Sequence, residues 1–576
     1  MAKISKENKI MSLILKKLKT QLISKNLDGY IVPKNDQFFS EYAYPNRLKI
    51  ISNFSGSAGF AVILRKKNYL FVDGRYTTQA KIESGRKYNI FEIPKLYPFD
   101  IFKKYKKKIK IGFDPSLFTN LMLKRYFNET CNLIPIKENL IDNIYKHKKK
   151  QKSTNFYFLN KKIVGESLNN KIIRLKKFLK NNKIDNIFIS APENVAWLLN
   201  LRGKDNPNSP IPNSTLIVTE KGKIFMFSDL SKINKIKNYK KITFNDFDKF
   251  FLILNKLNGK KFSIDRLTCS IANQNLISSR FNIINSIDPC YKFKSIKNKI
   301  EINNMKKAHI ADGVALTKFL FWLKKNKFKS IDEIKVEKKL ENFRKKNTNY
   351  LYPSFSTIAG SGPNGAIIHY RANSKSNRII GKNDLLLCDS GGQYKYGTTD
   401  VTRTICFNKP NNKIKDIFTR VLKGHIAVAT NDLNKNNKGY QIDKQARYWL
   451  NKIGLDYGHG TGHGVGFFLN VHEGPQSISK FNEIKIKEGM ILSNEPGYYK
   501  ENKFGIRIEN LIYVQKSKKK LCFKNLTYAP IDKDLIDFKI LNKKEKNYLF
   551  KYHMDTYMNL SNYLNLEEKK WLQDLI

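Results

Sequence analysis

The chain has 576 residues, of which 107 are basic and 49 acidic, for a formal net charge of +58. That length exceeds what one hydrophobic core organises, so roughly two to four domains are expected. A 41% hydrophobic and 12% aromatic content argues against wholesale disorder, and no apolar run approaches the roughly 18–20 residues of a membrane-spanning helix.

The charge taken alone would point to nucleic acid or an anionic surface. It is mostly Lys and runs along the whole chain, beside abundant Asn, Ile, Tyr and Phe, the drift expected of an AT-rich genome. No motif that reads DNA or RNA accompanies it, so neither nucleic acid nor membrane is an expected partner. Lysine clusters at 103–110, 146–152 and 516–520 read as solvated faces or loops. The six cysteines are scattered without a CxxC, which fits reduced, buried thiols. The N-terminal apolar stretch IMSLIL is short for a signal peptide, so a cytoplasmic location is the default.

In chain order, the N-terminus reads as an amphipathic helix running into a strand at LDGYIVP. Residues 27–64 give strand, polar helix start, turn and strand, and "KNYLFVDGRY" follows. Residues 184–218 repeat that order with IDNIFISAPENVAWLLNLRG and NSTLIV, followed by GKIFMFSDL. Two α/β domains of one plan are expected, over 1–150 and 151–292, with the basic run 146–155 as linker. From about residue 293 the pattern changes to a third domain, 293–576 with a C-terminal extension. Met305, Ala308, Ala311, Ala315, Phe319 and Trp322 recur at helical spacing and mark a long amphipathic helix. His309 on that helix, and His425 beside Val421, Leu422 and Ala429 on another, read as satisfied packing histidines.

Two motifs mislead. GSGPNG (360–365) matches GxGxxG, but its proline and the lack of a following helix spoil a dinucleotide cradle. HGTGH spaces His459 and His463 as zinc-protease helices do, yet its glycines disfavour a helix and no HExxH glutamate is present. The segment is expected to be extended or looping.

The carboxylates carry the chemistry. DLLLCDSGGQYKYGTTDVTRTICF (384–407) reads as a hairpin; pairing about Tyr394–Lys395 puts Asp389 opposite Asp400. GMILSNEPGYYKENKFGIRIENLIYV (489–514) reads likewise, and pairing about Asn502 brings Glu495 opposite Glu509. Close, buried carboxylates repel unless cations sit between them. Four carboxylates and one imidazole suit two divalent cations, and a pair about 3.5–4 Å apart activates water at neutral pH and polarises a carbonyl.

The series GPNGAIIHY, DSGGQYKYGTTDVTRT, GHGTGHGVGFFLNVHEGP, SNEPGYY and GIRIEN resembles the Xaa-Pro aminopeptidases (aminopeptidase P) of the pita-bread metallopeptidases. NFSGSAGFAVI, VDGRY, ENVAWLLNLRG and LTYAPIDKDLID resemble the long, three-domain cytosolic type, so the likeness covers nearly the whole chain. It implies an α/β and α+β architecture: two related creatinase/prolidase-like α/β domains, then a pita-bread catalytic domain. It further implies that Asp389 chelates one metal, that Asp400 and Glu509 bridge, and that His463 and Glu495 bind the second. The metals would be two divalent ions per subunit, Mn2+ by family habit, with Co2+, Fe2+ or Zn2+ also compatible.

His369, His459 and His472 would steady the scissile carbonyl and its oxyanion, and Glu495 would relay the proton. His369, His463, His472 and Glu495 would contact substrate, with glycines letting the peptide lie close to the metals. Arg507 would orient ligands, and Arg75 would reach a substrate site across a homodimer. The implied reaction is release of the N-terminal amino acid from peptides with proline second. Alternatives are prolidase, typically with a single N-terminal domain; methionine aminopeptidase, which lacks such domains; and a silent pita-bread module binding histones or nucleic acid, whose known examples lack the ligands present here.

Overall fold

The computed structural model describes residues 2–146, 154–327, 329–518 and 520–576. The linker expected over 146–155 and the lysine cluster at 146–152 lie largely outside them. Chain contacts define two compact units, one built mostly from residues up to Cys290 and one mostly from Tyr291–Ile576.

The first unit holds two six-stranded sheets. Helix α1 (Ala2–Ser24) buries Met11, Ile14, Leu15, Leu18 and Leu22 on one stripe. The strands that follow are β1 (Gly29–Pro33), β2 (Phe60–Leu64), β3 (Asn68–Asp73), β4 (Asn89–Ile93), β5 (Lys110–Phe113) and β6 (Asn132–Pro135), in the order β4-β3-β2-β1-β5-β6. Both faces are covered, which explains the continuous apolar runs. Tyr30 and Val32 join one core and Ile31 the other; Ala61 and Ile63 face away from Phe60 and Val62 in the same way.

The second sheet repeats the plan with β7 (Asn186–Ile189), β8 (Ser214–Thr219), β9 (Ile224–Ser228), β10 (Thr243–Asn245), β11 (Lys261–Asp265) and β12 (Asn282–Ser286), ordered β10-β9-β8-β7-β11-β12. The pairings match as well. The first three strands of each copy run antiparallel, and the outer strands join in parallel. The repeat read from the sequence is therefore a repeat of topology.

The second unit opens with α2 (Lys299–Lys325), started by a capping box between Asn298 and Glu301. Met305, Ala308, Ala315 and Phe319 are buried as their spacing predicts, while Ala311 and Trp322 are half-buried. Strands β13 (Ile358–Ser361), β14 (Leu385–Ser390) and β15 (Val401–Cys406) form an antiparallel sheet in that order. Helices α3 (Asn412–Ala429) and α4 (Gly439–Asn451) follow. A five-stranded sheet then uses β16 (Gly462–Gly464), β17 (Glu473–Ile478), β18 (Ile491–Asn494), β21 (Asn510–Ser517) and β22 (Lys520–Asn525), ordered β17-β16-β18-β21-β22. The hairpin β19 (Gly497–Lys500) and β20 (Phe504–Arg507) springs from between β18 and β21.

Period-two alternation splits these strands between two cores. Leu386, Cys388 and Ile405 pack on Leu316, Phe319 and Leu323 of α2. Leu385, Cys406 and Ile506 pack with Phe418 and Leu422 of α3 and with Leu549 and Tyr552 of α5 (Lys543–Leu560). Among the described residues no helix is long and apolar enough to cross a membrane. The six cysteines are free and five are buried; burial pushes the Cys388 and Cys406 thiols up to about 12, so neither is a ready nucleophile.

His425 is a satisfied core histidine, with Nδ1 3.1 Å from the Asn494 carbonyl and Nε2 3.3 Å from the Asn510 amide. His309 departs from expectation. Its Nδ1 meets the Met305 carbonyl at 2.8 Å, but its buried Nε2 has no hydrogen-bond partner. Burial keeps that imidazole below its ordinary pKa, and hence neutral.

Candidate metal centre

Five element ends converge. Asp389 lies at the end of β14, Asp400 just before β15, His463 within β16, Glu495 just after β18, and Glu509 between β20 and β21. One register differs from expectation. β14 and β15 pair Asp389 with Thr402 rather than with Asp400. The turn sits one residue further on because Gly397, which pairs with Tyr394, is the position that fits against α2; a Cβ there would lie 2.6 Å from Ala308. A shift of two in partner leaves every side chain on its face, so Asp400 remains a diagonal neighbour of Asp389. The second hairpin pairs as read. Gly497 opposes Arg507 and Asn494 opposes Asn510, a register centred on Asn502. Between those ladders the backbones of Glu495 and Glu509 turn away to bond the Thr461 carbonyl at 2.8 Å and the Thr402 carbonyl at 3.1 Å.

Asp389, Asp400 and Glu509 are buried, while His463 and Glu495 are half-buried at the opening. Ligand atoms of Asp400, His463 and Glu509 lie within 4.8 Å of one another. His463 Nδ1 is 2.9 Å from the Gly464 carbonyl, which makes it the protonated nitrogen and leaves the Nε2 lone pair facing acids. That Nε2 is 3.5 Å from Asp400 Oδ2 and 3.5 Å from Glu495 Oε1.

Arg507 is the guanidinium that bonds the side chains of the cluster, while Arg403 donates to the Glu509 backbone carbonyl at 2.7 Å. Arg507 donates to Asp389 Oδ2 at 2.6 Å, to the Tyr499 hydroxyl at 2.6 Å and to Thr402 Oγ1 at 3.1 Å. Thr402 Oγ1 in turn donates to Glu509 Oε2 at 2.7 Å, and Ser493 Oγ donates to Glu495 Oε1 at 3.0 Å.

Four carboxylates outnumber the nearby guanidiniums of Arg507 and Arg403 and leave excess negative charge in a low-dielectric site. Burial, opposed by Arg507 and reinforced by Asp400, pushes Asp389 up to about 6. Burial and then the neighbouring acids hold Glu509 well above the usual carboxylate range, and burial raises Glu495 as well. Burial opposes a charge on His463, but Asp400 and Glu495 outweigh it and push the imidazole up to about 9. Protons thus stand where cations would. Asp389 Oδ1 is buried with no hydrogen-bond partner. An orphaned oxygen, an imidazole nitrogen turned towards acids and surplus negative charge all fit divalent cations.

The other histidines take separate places. His472 stacks edge-on against His463 with ring centroids 4.4 Å apart. His459 Nε2 is 2.8 Å from the Tyr499 hydroxyl, which links it through that phenol to Arg507. His369 is half-buried in a turn just after Gly362–Ala366. Gly365 of that segment abuts the hairpin, since a Cβ on Gly505 would lie 1.8 Å from the Gly365 carbonyl oxygen. Arg75 belongs to the other unit, where it pairs with Asp73 at 2.7 Å and is one-third exposed.

Tyr499 and Thr402 were not singled out in the sequence. Tyr499 lies two positions from Gly497 and four from Glu495, so the period-two face of the acid was the signal for it. The glycines also need correcting. Gly462 and Gly464 make room for this chain's own backbone rather than for a peptide. A Cβ would lie 2.0 Å from the Ser493 carbonyl oxygen at Gly462 and 2.4 Å from the Glu473 carbonyl oxygen at Gly464. A Cβ on Gly458, by contrast, would meet nothing within 4 Å.

Paired acids and a single imidazole, set on a mixed α/β scaffold in a chain that also holds two related sheets, define a metal-dependent hydrolase. The chain belongs to metallopeptidase family M24: that family's model matches residues 303–516 and its C-terminal region 519–575, while creatinase/prolidase N-terminal domains match 14–144 and 147–301. The expected architecture, two creatinase-like domains followed by a pita-bread domain, is thereby borne out.

A protein of Laccaria bicolor described as a probable Xaa-Pro aminopeptidase P is 37% identical over 596 residues, covering 97% of this chain and 92% of its own. The crystal structure of X-prolyl aminopeptidase from Caenorhabditis elegans, described as a cytosolic enzyme with a di-nuclear active site, matches with a TM-score of 0.92 at 29% identity, covering 98% and 99% of the two chains. A prolidase from Thermococcus sibiricus matches less of the chain, with a TM-score of 0.53 at 26% identity over 64% of this chain and 98% of its own.

Proposed function

We propose that this chain is a metal-dependent aminopeptidase that hydrolyses the first peptide bond of peptides with proline second and releases the N-terminal amino acid. The observation that carries the reading is the convergence of Asp389, Asp400, His463, Glu495 and Glu509, with an orphaned carboxylate oxygen among them. The kinship with Xaa-Pro aminopeptidases over nearly the full length supports the substrate class.

Asp389 would chelate one of two divalent cations, His463 and Glu495 the other, and Asp400 and Glu509 would bridge. When bound, the pair supplies Lewis acidity that lowers the pKa of water and polarises the scissile carbonyl. The chain's own residues do the rest. Glu495, half-buried, accepts the water's proton and passes it to the leaving proline nitrogen. His369 and His472 are the donors around the carbonyl, His459 is a proton carrier that acts through Tyr499, and His463 lies at the substrate's edge. His459 keeps its Nδ1 proton on the Gly460 carbonyl at 2.7 Å, so Nε2 accepts from Tyr499. Arg507 holds Asp389 and, through Thr402, the Glu509 carboxylate in register. A tertiary Xaa-Pro amide has no N–H to offer, which favours a site built to do without that bond.

The working metal in this reading is Mn2+. The protein is a cytoplasmic homodimer in which Arg75 serves a substrate site, and its domains are 1–150, 151–292 and 293–576, in keeping with two equivalent sheets and with the family matches. Metal-stripped, Mn2+-reloaded protein is to be given Arg-Pro-Pro, Arg-Ala-Ala and Ala-Pro. Metal-dependent release of arginine from Arg-Pro-Pro alone supports the proposal. Preference for Ala-Pro makes the protein a prolidase, and no release with metals bound refutes catalysis.

A further inference from the structure

A second cluster of buried charge lies beside the metal centre. Glu473, the residue after His472, is met by two lysine ammoniums: Lys294 Nζ at 3.4 Å from Oε2, and Lys297 Nζ in closer contact with Oε1. All three side chains are at most 2% exposed. Glu301 adds a fourth buried charge nearby while capping α2 through the Asn298 N–H at 3.0 Å. Lys297 Nζ also reaches the Ser295 carbonyl at 3.4 Å, and Lys294 Nζ sits 4.7 Å from the centre of the Tyr291 ring. Burying ions is a poor way to gain stability alone, because apolar side chains of similar volume do as well or better. A charged clamp differs from an apolar one in being directional.

The clamp anchors the chain directly after His472. Glu473 pairs with Gly464 across the strands, which closes the loop 465–472 and sets His472 beside that closure. The same loop is pinned at Leu469, whose carbonyl accepts from Gln393 Nε2 at 2.8 Å, and internally by the Gly466 N–H on the Asn470 carbonyl at 3.0 Å. Lys297 is itself fixed by its backbone N–H on the Gly489 carbonyl at 2.9 Å, two residues before β18, the strand that Glu495 follows. One lysine therefore ties the segment leading to Glu495 to the return that follows His472.

We infer that Lys294 and Lys297, acting through Glu473, are positioning residues that set the His472 imidazole against His463 in front of the substrate carbonyl. The inference rests on the aminopeptidase reading for what His472 does, and on geometry alone for where it sits.

The test is a double-substitution cycle in the full chain reloaded with Mn2+, using Arg-Pro-Pro. Glu473→Gln lowers kcat by about tenfold, with KM little changed and both metals retained. His472→Gln lowers it comparably. The double variant is no slower than His472→Gln alone, because the carboxylate acts only through that ring. Lys297→Arg recovers most of what Lys297→Met loses.

Losses that multiply in the double variant, or a Glu473→Gln enzyme that only melts earlier while keeping its kcat, overturn the inference. A second readout needs no turnover. In metal-free protein the His472 ring resonances, identified by their loss in His472→Gln, shift in Glu473→Gln; unshifted resonances overturn the inference. Should the wild type release nothing from the peptide, the proposed activity fails and the ring spectrum still decides this point. Should Glu473→Gln not fold, Lys294→Met is read in the same two ways.

Discussion

Replacing Arg507 by methionine removes a guanidinium that three side chains of the centre share. In the structure Arg507 is 2% exposed and bonds Asp389, Tyr499 and Thr402. Deleting one partner of a buried, hydrogen-bonded ion pair costs about 3–5 kcal/mol, because the other charge stays buried and uncompensated. For a unit of this size that is a melting shift on the order of 10 °C. There is a second consequence. Burial already lifts Asp389 to about 6 against the pull of Arg507. Without that pull its pKa rises further, so near neutral pH a proton competes with the metal, and apparent Mn2+ affinity falls most at the acid end and recovers towards alkaline pH.

Calorimetric Mn2+ titration and thermal melting of metal-free Arg507→Met, across the neutral range, measure both effects. Arg507→Lys keeps the charge without the fork and lands between the two proteins. A variant that melts with the wild type and binds Mn2+ equally at every pH would refute the claim that Arg507 neutralises and orients Asp389.

Three further outcomes follow from the same geometry. Gly462→Ala drives a Cβ to 2.0 Å from the Ser493 carbonyl oxygen and displaces the strand bearing His463, costing about 1–3 kcal/mol or more and most of the activity, whereas Gly458→Ala meets nothing within 4 Å and leaves both melting and turnover unchanged. Loading metal-free protein near neutral pH releases protons, because the neighbouring acids hold His463 up at about 9 and a ligating imidazole must be neutral; titrations in buffers of different ionisation enthalpy count them, and heats independent of buffer would contradict the reading. Burial, then Arg403, hold His425 down at about 3 against roughly 6.5 when unfolded. The stability this represents, up to about 5 kcal/mol, is complete above the unfolded value and is lost as pH falls towards the folded one, so denaturation midpoints drop on acidification and His425→Gln flattens that slope.

What the sequence exposed, and what it hid, divides along one physical line. Asp389, Asp400, Glu495 and Glu509 stood out because the two hairpins set them in facing pairs within apolar or Thr-rich strands, and a carboxylate in a buried strand breaks the pattern that burial otherwise imposes. Period-two alternation even protected the reading from its own error: the first hairpin is off by two in partner, yet both aspartates keep their face. The paired sheets were legible for the same reason, since strand, helix start and strand recur in order.

Thr402 and Tyr499 raise no such alarm. A threonine in a strand and a tyrosine in a hairpin satisfy every local rule, and their roles exist only once Thr402 meets Glu509, more than a hundred positions away. Lys294, Lys297 and Glu473 were hidden differently. In a chain with 107 basic residues, two more lysines read as solvated surface, and it is burial against one shared carboxylate that sets this pair apart. Composition that masks a buried charge does not lower the penalty of burying it, so these two lysines are where structure adds most to the sequence.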